Sequence, residues 1–535
     1  MNKIYISNLV KKLSISEYLF IFLIASILAI GIVNLDYPLD LSDGDSARDY
    51  LIARSISRGE SLPLVGPWNA GFGTMVNSPF YYYLLALFLF IYDSYIYLNL
   101  INLLFFLASI IIYYLIAKKL FNKYVALISS LAFVSVPVIY LQSMYIWQPH
   151  LMYPFYLLSF LFLIKAYQDR SNKFVHLGIV SIIIAGALHN SAYSFLPVFL
   201  VLSMWIIYKN KPKLSQVFKP VITVVATFLV FYAPNIILFY KQENKTQASF
   251  SGFLKLNYAW DQLLAVFKQF LSFLSFSSIK IFHPLLFLYF LYLLFIIIYA
   301  FDKNKKTTKT LAVVIFIAVQ PFLAFVLFGV KEFHIHYFSV VFAPLYIFAV
   351  GLIFSLDKIK LLKINKGLLR VIQFIFIAYV LFFSSSAFAL FNDVDKFERP
   401  NSYYINQATD KIKDTAIEIK KTNNYEDLNF FDIIVYKKGP YGVRNYIFYL
   451  ALEDKLNTDF IDISKSGLIT DSQKKNYVFL VCINKKSAVF PTSDCKEHLR
   501  YRLNYLKVNG GNLDSLLFED IYKDGPLNIF LTKTI

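Results

Sequence analysis

Apolar runs of membrane-spanning length recur along this chain, and they exclude most folds open to a polypeptide of 535 residues. A helix needs about 20 consecutive apolar residues to cross a bilayer core. Runs close to that length lie at 16–35, 96–117, 124–142, 150–168, 175–189, 190–208, 218–240, 284–301, 310–329, 337–356 and 368–391. The block 174–208 is too long for one span and divides near His189 and Asn190. In lipid every backbone polar group must be satisfied internally, which favours helices. The expectation is a polytopic α-helical membrane protein with about 11 transmembrane helices. Composition agrees: 58% of residues are hydrophobic and 19% aromatic, whereas soluble domains run near half apolar.

The net charge of +18 could suggest nucleic acid, but its distribution points elsewhere. Lysines fill the short gaps between apolar runs, as in cytoplasmic loops. Threading from an inside N-terminus places Lys3, Lys11 and Lys12 inside, with Lys118, Lys119 and Lys123, then Arg170 and Lys173. Lys209, Lys211 and Lys213 follow, with the groups at 303–309 and 358–366. The turns near 143–149 and 189–190 carry no lysine or arginine. The first run has a basic start and reads as a retained helix rather than a signal peptide. An odd number of spans puts the C-terminus outside. The chain is expected in the cell membrane, in contact with its lipids and with no nucleic-acid partner.

The span region is expected to cover 1–391, with a long first outer loop at 36–95. Residues 392–535 change character. NFFDIIVY (429–436) and NYVFLVCI (476–483) read as strands, and 401–422 as a helix. NGGN (509–512) and KDGP (523–526) are turn signals. This predicts a C-terminal extracytoplasmic α/β domain. Cys482 and Cys495 fall there, and an oxidising compartment would permit a disulfide. In the first outer loop, SARDYLIARSISRG (46–59) reads as an interfacial helix with Tyr50 and Ala53 on one face and Arg54 and Arg58 on another. NSPFYYYLLALFLFIY (77–92) is either a second interfacial helix or the start of a span, with its tyrosines at the membrane–water boundary.

The threaded topology gathers chemistry on one face. The first loop supplies Asp43, Asp45, Arg48 and Asp49; later turns supply Tyr145, Trp147, Gln148 and His150, then His189 and Asn190, then Lys331, Glu332, His334, His336 and Tyr337. A carboxylate can remove a proton from an acceptor hydroxyl. Cations and imidazoles can neutralise charge on a leaving phosphate, and the arginine fork matches phosphate oxygens. Structural roles compete with these. Asp43 and Asp45 around Gly44 also suit a polar turn and helix cap. His150 and His189 also suit interfacial structural roles. Arg54 and Arg58 also suit snorkelling anchors. His334 and His336 are two apart, which splits them across a helix, so no metal site is assigned and a divalent cation stays an open option.

DSARDYLIAR (45–54) is similar to the D-E-x-R-Y-A-x-I-x-R pattern of C-superfamily membrane glycosyltransferases. SPFYYYLL (78–85) resembles their P-P-L-Y-Y-W-L segment, and HIHYFSVVFAP (334–344) their H-Y-x-x-x-x-x-P segment. ALHNSAYSFLP (187–197) is similar to a Q-x-H-x-S-A stretch of the rhizobial-type branch of the protein-mannosyltransferase and aminoarabinose-transferase-like family. The resemblance covers about 36–350 in order and spacing. It implies a polyprenyl-phosphate sugar donor, an inverting transfer on the outer face, and a lipid, glycan or protein acceptor. It implies that Asp45 is the base, with Asp43 or Asp49 in support, and that Arg48 meets the donor phosphate. Lys331, His334 and His336 are further phosphate candidates. Tyr81, Tyr82, His150, His189 and Tyr337 are expected to line the substrate cavity. The chain departs from the pattern at Ser46 and at VNSP (76–79), where the aminoarabinose branch has an acidic–basic pair with a phosphate-binding lysine.

Two rivals remain at this level. A lipid-linked saccharide flippase would bury ionisable groups near the bilayer midplane, and Lys165 and His176 lie instead near inner span ends. A surface-polysaccharide polymerase or ligase would share the helix count but take a pyrophosphate-linked donor.

Overall fold

A computed structural model describes residues 14–33, 35, 45–67, 77–134, 145–210, 214–241 and 365–378, with single positions in 340–354 and 411–418. It also describes four strands between 428 and 534. The helices are α1 (Ile15–Val33), α2 (Asp45–Ser57), α3 (Phe80–Ile91), α4 (Tyr95–Leu120), α5 (Lys123–Val134), α6 (Gln148–Asp169), α7 (Asn172–Leu188), α8 (Leu196–Lys209) and α9 (Leu214–Lys241). A 3-10 turn, Asn190–Phe195, precedes α8. Among the described residues, four helices are long and apolar enough to cross a membrane: α1, α4, α6 and the Phe218–Leu238 part of α9. The predicted run 77–92 resolves as α3, a helix separate from α4, because residues 92–94 leave the helical path. Residues 366–378 and the described positions from 340 to 353 are helical, and all but 366 and 367 fall inside the last two predicted spans. The predicted spans 284–301 and 310–329 lie outside the described residues.

The chain divides into two compact units, Met1–Tyr37 with Ile52–Phe391, and Pro38–Leu51 with Asn392–Ile535. In the first, α6 packs on α7 and α4, and α1 on α4 and α5. Aromatic rings fill the seams. Tyr113 of α4 stacks on Phe133 of α5 at 4.5 Å, and Phe195 stands edge-on to Tyr156 of α6 at 5.7 Å. Stacked or edge-on pairs add to burial by matching ring quadrupoles. α9 turns Phe218, Val221, Ile222 and Val230 outward, as a lipid-facing helix does.

Hydrogen bonds sort the helix ends into two sets. At one, Glu17 of α1 takes the Ser14 N–H at 2.9 Å, in the manner of a capping box, and binds Lys118 of α4 at 2.8 Å. Lys119 donates to Gln168 of α6 at 2.7 Å, and Asn210 after α8 to Asn172 of α7 at 3.0 Å. At the other, Asn99 of α4 donates to the Leu35 carbonyl at 3.0 Å and accepts from the Ile146 N–H at 3.1 Å. Asn77, before α3, binds Asn190, after α7. Each of α1, α4, α6 and α7 thus has one end in each set, so α1 and α7 run opposite to α4 and α6, as alternate threading predicts.

The second unit holds a four-stranded sheet in the order β1-β2-β4-β3, with β1 Leu428–Lys438, β2 Lys475–Asn484, β3 Phe518–Asp524 and β4 Leu527–Thr534. β1 and β2 are parallel, which requires a crossover between them. β4 runs antiparallel to both β2 and β3. Asp524 pairs with Leu527 across the KDGP turn. The two predicted strands coincide with β1 and β2. Residues 411, 414, 415 and 418 are helical, inside the predicted helix 401–422.

Candidate functional site

α2 carries the Asp–Arg motif. Asp45 is its first residue, and Asp49 lies one turn further on. Asp49 is fully buried, and its Oδ1 accepts from Arg48 Nε at 2.9 Å and Nη2 at 2.7 Å. A buried carboxylate needs such a partner, and removing either member strands a charge. Tyr50 and Ala53 are buried, as the helical spacing predicts. Arg54 and Arg58 both reach Oδ2 of Asp93, just beyond α3, at 2.9 and 3.3 Å. They tie α2 to the α3–α4 junction rather than standing as isolated anchors.

The loop before α3 is held by a knot of amides. The Asn77 carbonyl accepts from Gly66 N–H at 2.8 Å and from Asn235 Nδ2 of α9 at 3.1 Å. Its side chain donates to the Pro67 carbonyl at 2.6 Å and accepts from Asn190. Gly66 is required: a Cβ there would run into the Ser78 carbonyl. Ser78 Oγ donates to the Phe231 carbonyl of α9 at 2.6 Å. Pro234 interrupts the α9 ladder nearby, and loop or side-chain groups commonly satisfy carbonyls freed at such breaks.

The α3 tyrosines part company. Tyr81 and Tyr82 are buried in the protein with ring centroids 5.8 Å apart. Tyr83 donates to the Pro63 carbonyl at 2.8 Å. Leu87, Phe90 and Ile91 face outward instead. The tyrosine run is therefore mostly packed inside the protein.

Both turn histidines are buried. His150 has Nδ1 2.8 Å from the Tyr145 carbonyl. His189 has Nδ1 2.7 Å from Ser191 Oγ, and that hydroxyl also approaches Met152 Sδ of α6 at 3.5 Å. The turn before α6, the turn after α7 and the loop before α3 are thereby joined. Asp43, Lys331, His334, His336 and Tyr337 lie outside the described residues. Among the described residues no group of three or more His, Cys, Asp or Glu is placed to hold a metal ion.

Sequence reasoning missed Asn235, Asp93 and Asn99. Asn99 carried a signal, being an amide inside an apolar span. Asp93 carried another, as the acid between two apolar helices that could answer the Arg54–Arg58 pair.

Residues 76–238 match the family model described as dolichyl-phosphate-mannose-protein mannosyltransferase. No curated protein matches the chain by sequence. Among solved structures, the chain is similar to ArnT from Cupriavidus metallidurans bound to undecaprenyl phosphate, with TM-score 0.57 and 11% identity over 97% of this chain and 98% of that one. It is similar to the same protein in the apo state, with TM-score 0.55 and 12% identity over 96% and 97%. The fold is therefore ArnT-like.

Proposed function

We propose that this protein moves a sugar from a polyprenyl-phosphate donor to an acceptor on the extracytoplasmic face, with inversion. The observation that carries this is the match of 76–238 to the mannosyltransferase family model on an ArnT-like fold. Asp45 takes the proton of the acceptor hydroxyl. The freed oxygen attacks the anomeric carbon as the bond to phosphate breaks, and polyprenyl phosphate leaves. Arg48, held by Asp49, turns toward the donor phosphate, and Lys331, His334 and His336 supply further positive or hydrogen-bonding groups there. His189, Tyr81, Tyr82 and Tyr337 line the cavity. The N-terminus is cytoplasmic, and residues 392–535 form an extracytoplasmic α/β domain around the four-stranded sheet.

The decisive assay incubates purified protein with labelled polyprenyl-phosphate sugars, with and without chelator. Asp45→Asn should abolish transfer while leaving the melting temperature within about 2 °C of wild type, the scale of a surface change of about 0.5 kcal/mol. Full activity in folded Asp45→Asn removes Asp45 from the mechanism. Loss of wild-type transfer on chelation would add a divalent cation to it.

A further inference from the structure

His150 holds an acceptor that the fold does not use. The residue is 4% exposed, in the first turn of α6. Its Nδ1 lies 2.8 Å from the Tyr145 carbonyl. A carbonyl only accepts, so Nδ1 carries the proton, and in the neutral ring Nε2 is a lone pair. Nε2 is itself buried, and no donor among the described residues reaches it. Buried polar atoms are nearly always paired, so this lone pair stands available to a hydroxyl donor from a bound molecule. The Tyr145 and Trp147 rings stand at 5.0 and 5.5 Å from the imidazole. A lone pair repels phosphate oxygens and gains nothing from a polyprenyl chain. It suits a hydroxyl, and the two aromatic rings suit the apolar face of a sugar.

We propose that His150 Nε2 accepts a hydrogen bond from a carbohydrate hydroxyl of the substrate, with Tyr145 and Trp147 forming the wall beside it. This rests on the glycosyltransferase reading and names the hydroxyl contact within it. The donor sugar and the acceptor offer the same chemistry, and the test separates them.

His150→Asn keeps an amide N–H for the Tyr145 carbonyl but places no atom at Nε2; His150→Gln returns a polar atom near it. Affinity is measured for decaprenyl-phosphate mannose and its monodeoxy analogues in detergent-solubilised protein, alongside melting temperature. If the hydroxyl belongs to the donor, folded His150→Asn binds the parent about tenfold more weakly, the scale of one lost hydrogen bond. One deoxy analogue then weakens wild type equally and His150→Asn no further, and His150→Gln recovers part of the loss. If it belongs to the acceptor, donor affinity holds and the KM for methyl glycoside acceptors rises about tenfold with kcat unchanged. Unchanged donor affinity and acceptor KM in folded His150→Asn overturn the proposal, as does a wild type that binds neither class of sugar. Failure of the glycosyltransferase reading looks different: wild type binds these sugars but transfers none, and the affinity arm still tests Nε2.

Discussion

Asn77 stands where the resembling family carries charge, and it works as a joint. Its carbonyl fills both acceptor positions and its side chain both donates and accepts. Asn77→Ala should cost about 1–3 kcal/mol, the penalty for leaving buried partners unmet, read as a lower melting temperature. Asn77→Asp should cost more, because it turns a carboxylate oxygen toward the Pro67 carbonyl. Gly66→Ala acts on the same joint by steric means and should destabilise by about 1–3 kcal/mol, again visible in thermal unfolding. None of this was legible in the residues, since the partners of Asn77 lie 10, 11, 113 and 158 positions away. What was legible was the departure itself: VNSP lacks the charges the family pattern has.

At the scale of elements, reading succeeded where one local pattern dominates. Long apolar runs exposed α1, α4, α6 and α9, and aromatic and β-branched runs exposed β1 and β2. β3, FEDIYKD, interleaves acids and a lysine with short apolar stretches, and β4, LNIFLTKT, holds only a three-residue apolar run before threonines and a lysine, so only the KDGP turn signal stood out. α3 was ambiguous because its apolar run continues almost unbroken into α4, and the Asp93–Ser94 break is two residues of polarity. Asn99 joins elements in a way no periodicity reveals. Its one amide holds the end of α1 to the segment entering α6. Asn99→Leu should strand the Ile146 N–H and cost about 1–3 kcal/mol, with faster amide exchange at 145–147 while the centre of α4 stays protected.

For the whole molecule, the two sets of helix ends make orientation testable without any assay of transfer. Cysteines introduced at Asp93 and at Lys119 should fall on opposite sides of the membrane. With the N-terminus inside and Cys482 and Cys495 replaced by serine, intact cells should admit a membrane-impermeant maleimide to Asp93→Cys only, and Lys119→Cys should label after permeabilisation. The reverse pattern inverts the orientation and moves the Asp–Arg loop to the cytoplasm.

The amide knot also sets an order of manufacture. Asn77 and Ser78 leave the ribosome long before Asn190, Phe231 and Asn235 exist, so this loop waits through the synthesis of some 150 residues for its last partners. Chains grow at about 5–20 residues per second, which leaves the loop unclosed for roughly ten to thirty seconds. α9 therefore acts as the closing piece of this loop, and a nascent chain halted before residue 231 carries every span up to α8 yet leaves the loop before α3 without its α9 partners.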